Sequence, residues 1–372
     1  MAATSKTLIL AASCNAGLPT AAHFRVEEKP APTADELADG CVLVRLTHLS
    51  ADPYMRGRIR ADRPGSTAPG AAISGFVAGV VVASRSGAWA AGDFFGANLP
   101  FSTVQVLTPA HLAATAMWKL NGLCGESELH LGVGVLGMPG ATAWGGLVDV
   151  LKPEAGQSLL ITAASGAVGQ LVGQLAKKRG VRVIGSAGGA AKCAALKEVF
   201  GFDATIDYKN EDFEAALKRL APQGLDMVFE NVGAAQFEAS FRCLGKGGRL
   251  AVCGAIAEYH EEKPPTVAIN QMVRPCGSPQ SRARVLTRPL CAFPPSHHRA
   301  HWQDMIYSGQ RIEGFVCTPW LLKGTFLSEM AAGLADGSIK VTHSFTEGIE
   351  AWPTAFMSLF TGESNGKVVV KV

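Results

Sequence analysis

Leu159-Leu160-Ile161-Thr162-Ala163-Ala164-Ser165-Gly166-Ala167-Val168-Gly169 opens the stretch that decides the fold, which runs on to Tyr208. Its first four residues are an apolar run with the character of a buried strand. The small residues 163–169 make a tight turn. Val168, Leu171, Val172, Leu175 and Ala176 then recur at i, i+3, i+4, i+7 and i+8, which predicts a helix with one apolar face. Lys177, Lys178 and Arg179 crowd its last turn and Gly180 stops it, as the helix dipole and the C-cap require. Val181-Arg182-Val183-Ile184 reads as a second strand. The unit is β-α-β with a glycine turn at the mouth of its helix.

Such a turn suits a dinucleotide. A diphosphate docks where a helix N-terminus offers unpaired N–H groups and a partial positive charge. Gly166 permits close approach, and Gly169 lets the helix pack against the strand. Ala164 stands where the plain G-x-G-x-x-G pattern has its first glycine, so the strand–turn–helix context carries more weight than the motif alone. The end of the second strand selects the cofactor. An NAD site places Asp or Glu there, to accept from the ribose 2′-OH. Here the strand runs into Gly185-Ser186-Ala187-Gly188-Gly189, with Lys192 soon after and Tyr208 closing a third strand. A missing carboxylate beside an ammonium favours NADP(H). The other reading of Lys192 is a solvated helix lysine, the usual fate of that residue type.

Working outward, the 372 residues allow two domains. Apolar content of 48% against 17% charged residues indicates a core-forming chain, and a net charge of +3 argues for no particular partner. Neither a basic block ahead of residue 270 nor a long apolar run points to nucleic acid or to a membrane span. Nine cysteines lie scattered without a C-x-x-C pair, which suits reduced thiols in a cytoplasmic compartment. The first residues lack the features of a signal peptide. Residues 1–134 read as β-rich, with runs such as Val42-Leu43-Val44 and Val80-Val81-Val82 separated by Gly and Pro clusters. Between those runs, Asp52-Pro53-Tyr54-Met55-Arg56-Gly57-Arg58 puts an aromatic and two arginines on a loop. Tyr54 is a candidate pocket wall or a plain packing tyrosine. After the glycine unit, a helix over 212–220 and strands over 225–229 and 249–253 continue the alternation, which implies a doubly wound parallel sheet. The glycine turn, Asn231 and the 253–259 loop fall at carboxyl ends of strands, so they should face one crevice.

Several of these stretches together resemble one family. Gly137-Met138-Pro139-Gly140, residues 163–169, Glu230-Asn231-Val232-Gly233, Cys253-Gly254-Ala255-Ile256, Glu313-Gly314-Phe315-Val316, the Asp52–Arg56 loop and Asn365-Gly366-Lys367 are similar to the prostaglandin reductase / 2-alkenal double-bond reductase family. This is the leukotriene B4 dehydrogenase-like, zinc-free branch of the medium-chain dehydrogenases/reductases. The resemblance implies an α/β protein: a GroES-like β-barrel domain from residues 1–134 and 342–372, and a Rossmann doubly wound parallel-sheet domain over 135–341. It implies NADPH-dependent reduction of the C=C bond of α,β-unsaturated aldehydes and ketones, and a homodimer. Zinc is not expected: Ser50 holds the approximate place of a ligand cysteine, Ser74-Gly75-Phe76 that of His-Glu, and the cysteines lack the clustered spacing of a structural zinc lobe.

Cofactor contacts follow from the resemblance position by position. Ser165, Gly166, Ala167, Val168 and Gly169 form the diphosphate turn; Lys192 and Tyr208 meet the 2′-phosphate. Asn231, Cys253, Gly254, Ala255, Ile256 and Tyr259 line the cleft. A strand over 315–321, with Phe315, Val316 and Cys317, borders the nicotinamide, and Asn365 reaches it from the tail. Pro319 and Leu321 depart from the more polar residues common there. Hydride delivered to the β-carbon of an enone builds negative charge on the carbonyl oxygen, and a donor aimed at that charge is worth roughly 3–4 kcal/mol. The resemblance offers Tyr259 as that donor; the alternative is a tyrosine that only walls the pocket. The histidines show no pairing that suggests catalysis. A different class of function, a non-catalytic NADP(H)-binding redox sensor or RNA binder on the same fold, would be favoured by loss of Tyr259 or of the glycine turn, and both are present.

Residues 273–300 break the pattern. Arg274, Arg282, Arg284, Arg288 and Arg299 accumulate among Pro275, Pro279, Pro289, Pro294 and Pro295, with no acid between Glu262 and Asp304. Neither a helical nor a strand period runs through them, and so long a structureless loop is uncommon inside a compact domain. The segment is either an authentic basic insertion or translated non-coding sequence such as a retained intron. The conflict between local pattern and fold favours the second.

Overall fold

The strands of the first part of the chain are β1 Thr4–Leu10, β2 Phe24–Pro30, β3 Val42–Ser50, β4 Ser74–Ser84, β5 Phe94–Pro100, β6 Val104–Leu107 and β7 Met117–Lys119. This computed structural model describes residues 4–262 and 308–372; the arginine- and proline-rich segment 273–300 lies outside the described residues. β1 and β2 pair as an antiparallel ribbon. β3 is buried over most of its length, because Val42, Val44 and Leu46 face the barrel core while Leu43 packs with Leu37 and Cys41 on the other side.

A second sheet is parallel throughout. Its strands are β8 Ser158–Ile161, β9 Arg182–Ala187, β10 Ala204–Asp207, β11 Leu225–Glu230, β12 Leu244–Val252 and β13 Arg311–Gly314. They stand in the order β10-β9-β8-β11-β12-β13. The chain winds outward from β8 in one direction, then returns to β11 and winds outward in the other. The switch point between β8 and β11 is where such sheets hold ligands, beyond the carboxyl ends of the strands. Leu159, Leu160 and Ile161 are wholly buried, as befits a central parallel strand.

The helix after β8 is Gly169–Lys178, and its apolar face, Leu171, Val172, Leu175 and Ala176, is the one the sequence spacing predicts. Asp212 caps the helix Phe213–Leu220, its carboxylate accepting the Ala215 N–H at 2.7 Å. The chain then returns to the first sheet: β14 His343–Glu347 and β15 Lys367–Lys371 extend it in the order β14-β15-β3-β4-β5-β7. The tail thereby carries residues 361–366 across the mouth of the glycine turn, where Gly366 N–H donates to Ser165 O at 3.0 Å.

One expected element is different. Residues 315–321 are not a strand: β13 ends at Gly314, and Thr318–Lys323 is a helix with Pro319 in its first turn. Proline removes a ladder donor from a strand, whereas its fixed φ and missing N–H suit a helix start. No single helix among the described residues is long and apolar enough to cross a membrane, although the bent pair Glu126–Val133 and Met138–Leu151 together has the length and composition.

Candidate active site

The carboxyl ends of the parallel strands open on a cavity of about 990 Å³, closed on the other side by the loop after β3 and by the tail before β15. At its centre is the glycine turn. Ala163 takes a left-handed conformation, φ +47°, a strain that non-glycine residues accept rarely and often at functional sites. A Cβ on Gly169 would lie 2.7 Å from both Ala163 O and Ala164 Cα, and one on Gly166 would lie 3.2 Å from Ala163 O. The helix can sit this close to β8 only because Gly169 has no side chain. The N–H of Val168 has no hydrogen-bond partner among the described residues, while Ala167 N–H faces Gly366 O across the bridge between Gly166 and Gly366. Bare backbone and an unpaired donor at a ten-residue helix N-terminus fit a diphosphate.

At the end of β9 no carboxylate faces the cavity. The nearby Asp207, closing β10, is committed to its own turn: it accepts the Gly189 N–H at 2.8 Å, the Lys209 N–H at 3.2 Å and the Asn210 amide at 2.7 Å. Lys192 lines the cavity with Tyr208, and its ammonium donates to Gly362 O at 2.8 Å and Ser364 O at 2.7 Å. Burial, with the charge of Lys209, lowers the Lys192 pKa. Fitted by an ammonium and a phenol without a competing acid, this end suits a 2′-phosphate better than a bare ribose diol.

Asn231 ties β11 to β8, donating through its N–H to Thr162 Oγ1 at 2.8 Å and through its amide to Thr162 O at 2.7 Å. Beside it, Glu230 is fully buried. One of its oxygens accepts Val232 N–H at 2.6 Å and Gly233 N–H at 2.8 Å, and the other has no partner. Burial pushes this carboxyl up to about 7.

The loop after β12 carries Tyr259. Cys253 and Gly254 donate to Glu230 O, Ile256 to Asn231 O and Ala257 to Val232 O. From the barrel side, Gly17 N–H donates to His260 O at 2.8 Å, and the buried Arg60 donates to Glu261 O at 2.9 Å and Glu262 O at 3.2 Å. Within this double clamp the Tyr259 hydroxyl accepts the Ala255 N–H at 3.2 Å. An accepting phenol keeps its own proton to donate. Burial raises its pKa, so the proton stays on.

Opposite lies Tyr54, edge-on to Phe76, with a buried hydroxyl that has no hydrogen-bond partner among the described residues. Burial and then the charge of Asp52 raise its pKa. Asp52 itself pairs with the buried Lys367 at 2.9 Å and accepts from Ser50, while Lys367 also donates to Ala51 O at 2.8 Å. Phe315, Val316 and Cys317 line the remaining edge, and burial raises the thiol pKa of Cys253 and of Cys317.

Of the residues expected from the sequence, Tyr54, Ser165, Gly166, Ala167, Val168, Gly169, Lys192, Tyr208, Asn231, Cys253, Gly254, Ile256, Tyr259, Phe315, Val316 and Cys317 line this one cavity. Ala255 and Asn365 do not: Ala255 serves through its N–H to Tyr259, and the Asn365 carbonyl accepts from Ser344 at 2.9 Å. Sequence reading missed Lys209, Asn98 and Thr142, which also line the cavity. Asn98 had a legible signal, a polar residue inside the apolar strand β5. A histidine cluster was missed too: the His130 ring lies 4.7 Å from that of His343 and 5.8 Å from that of His48.

Residues 6–115 match a family described as the N-terminal domain of oxidoreductase, and residues 167–280 one described as zinc-binding dehydrogenase. Among the described residues no three His, Cys, Asp or Glu side chains converge as a metal site. The chain is 34% identical to the NADPH-dependent curcumin reductase of Escherichia coli over 369 residues, 96% of this chain and 94% of that one. It is 34% identical to the NADP(+)-dependent 2-alkenal reductase of Nicotiana tabacum, covering 89% and 87%. Identity to prostaglandin reductase 1 of Sus scrofa is 32%, covering 95% of each. Among solved structures, CurA from Vibrio vulnificus in complex with NADPH superposes with a TM-score of 0.80 at 30% identity, covering 99% of both chains.

Proposed function

The chain belongs to the family of prostaglandin reductases and 2-alkenal reductases within the medium-chain dehydrogenases/reductases, and from that membership we propose that it reduces the C=C bond of α,β-unsaturated aldehydes and ketones with NADPH. It is an NADP-dependent oxidoreductase; the enal or enone substrate, of 2-alkenal or 15-oxoprostaglandin type, is our reading. The observation that carries it is Tyr259: a half-buried tyrosine on a loop held from the sheet side and from the barrel side, keeping its proton, in the same cavity as the bare glycine turn.

Ser165 to Gly169 would hold the diphosphate, Lys192 and Tyr208 the 2′-phosphate, and Asn231 with residues 253–256 and 315–317 the length of the cofactor. When bound, the reduced nicotinamide supplies a hydride. As the β-carbon of the substrate gains that hydride, its carbonyl oxygen gains negative charge. Tyr259 donates a hydrogen bond to this oxygen, and the low-dielectric wall of Tyr54, Phe76 and Phe315 strengthens it. A proton from Tyr259 or water then completes the α-carbon.

The test is direct. Purified protein is mixed with NADPH and 2-nonenal, and the near-ultraviolet absorbance of the reduced cofactor is followed. Loss of absorbance with formation of the saturated aldehyde is expected. NADPH binding without turnover of any enal or enone would refute the reading and leave a nucleotide sensor.

A further inference from the structure

Lys209 follows Tyr208 at the end of the cavity that takes the adenosine ribose, and it lines that cavity. Gly188 keeps the space around it bare, and Gly362 lies close by. A Cβ on Gly188 would press on Lys209 Cε at 2.9 Å and on the Tyr208 hydroxyl at 2.8 Å. One on Gly362 would lie 3.7 Å from Lys209 Nζ. The carbonyl of that same Gly362 accepts from Lys192 at 2.8 Å, so the two ammonium groups converge on one short segment of the tail. Neither lies within ion-pair distance of a carboxylate among the described residues. Asp207, the nearest acid on this turn, has its oxygens taken by the Gly189 and Lys209 N–H groups and by Asn210.

The donor count separates the two lysines. An ammonium has three N–H donors. Lys192 gives two of them to Gly362 O and Ser364 O, which leaves one for a ligand. The Lys209 ammonium has all three available among the described residues. A phosphate monoester carries between one and two negative charges near neutral pH and three acceptor oxygens. One tethered ammonium neutralises only part of that charge.

We propose that Lys209 is a second ligand of the adenosine 2′-phosphate and shares with Lys192 the selection of NADP(H) over NAD(H). This rests on the cofactor assignment above. Lys192, latched to the tail, sets the place of the phosphate; Lys209, on an exposed and flexible stem, closes over it. The carboxylate that an NAD site would put at the end of β9 is thus replaced by two cations from two successive β-α units.

The experiment uses the full chain and two fragments, 2′,5′-ADP and 5′-AMP, with affinities measured by calorimetry. Lys209→Ala should weaken 2′,5′-ADP roughly ten-fold, the scale of one charge-assisted hydrogen bond, and leave 5′-AMP unchanged. Lys209→Arg should recover most of the loss, and the salt dependence of 2′,5′-ADP binding should be shallower in Lys209→Ala. Unchanged 2′,5′-ADP affinity in Lys209→Ala, with wild type still preferring it over 5′-AMP, would overturn this inference alone. Equal losses for both fragments would assign Lys209 to the shape of the cavity and overturn it as well. A wild-type protein without preference between the fragments would overturn the NADP(H) assignment itself.

Discussion

Replacing Tyr259 by Phe removes one oxygen and tests the chemistry with little damage to the fold. The loop that bears it is held by main-chain bonds to Glu230, Asn231 and Val232, and from the barrel by Gly17 and Arg60. None of these involves the phenol. Among the described residues the only bond the hydroxyl makes is a long one, accepted from Ala255 N–H at 3.2 Å, so its loss should cost about 1 kcal/mol of stability. The catalytic cost should be larger. A donor aimed at a developing oxyanion is worth ~3–4 kcal/mol, a fall of about 10²–10³ in kcat. The affinity for NADPH should stay within about three-fold, since each further three-fold is less than 1 kcal/mol. Urea unfolding, a fluorescence titration with NADPH and kcat on an enal separate the three quantities. Because burial raises the Tyr259 pKa above its ordinary value near 10, the phenol stays protonated through neutral pH, and its own ionisation should leave no step in kcat there. Undiminished turnover in Tyr259→Phe would refute the role and leave the residue as pocket wall.

Gly169→Ala forces a Cβ to within 2.7 Å of backbone atoms of residues 163 and 164, so the helix must retreat from β8; urea unfolding should show a loss of about 1–3 kcal/mol, with weaker NADPH binding. Gly166→Ala meets one carbonyl at 3.2 Å and should weaken NADPH while sparing stability. Lys367→Met leaves the buried Asp52 without its partner and should cost about 3–5 kcal/mol in urea unfolding; a loss under 1 kcal/mol would refute the stabilising role of this pair. Acid should also destabilise the fold through the histidines. Burial holds His48 and His343 at about 4 against an ordinary 6.5, helped by His130, Lys371 and Lys367. The unfolded chain binds more protons in that interval, so stability is full above pH 6.5 and falls as pH drops towards 4. His343→Gln should flatten that slope; an unchanged slope would place the acid sensitivity elsewhere.

What the sequence made legible was local. A strand, a turn of small residues and an amphipathic helix lie within twenty residues, and the turn's lack of side chains is the feature that the proposed diphosphate site uses. Residues 315–321 misled because an apolar run of that length suits a strand or a buried helix equally; Pro319 was the signal for the helix start. Arg56, on a loop expected to serve a site, is instead buried and donates to Cys14 O at 2.7 Å and Gly17 O at 2.8 Å. That loop contributes Asp52, Tyr54 and Arg58 to the cavity and uses Arg56 to hold another segment in place.

The parts that stayed illegible share a physical cause. Arg60 meets Glu261 across 201 residues, Lys192 meets Ser364 across 172, and Asp52 meets Lys367 across 315. No period or spacing rule reaches that far, since each pair exists only after barrel and sheet have closed on one another. These same pairs set the working geometry. Arg60 fixes the loop of Tyr259, Lys192 fixes the tail over the glycine turn, and Lys367 fixes that tail to the loop of Tyr54. The motif supplies bare backbone at the carboxyl end of β8; the distant polar pairs bring Tyr259 and Tyr54 to the same cavity. An enzyme of this architecture can therefore keep every local motif and still lose activity through a single substitution in the clamp.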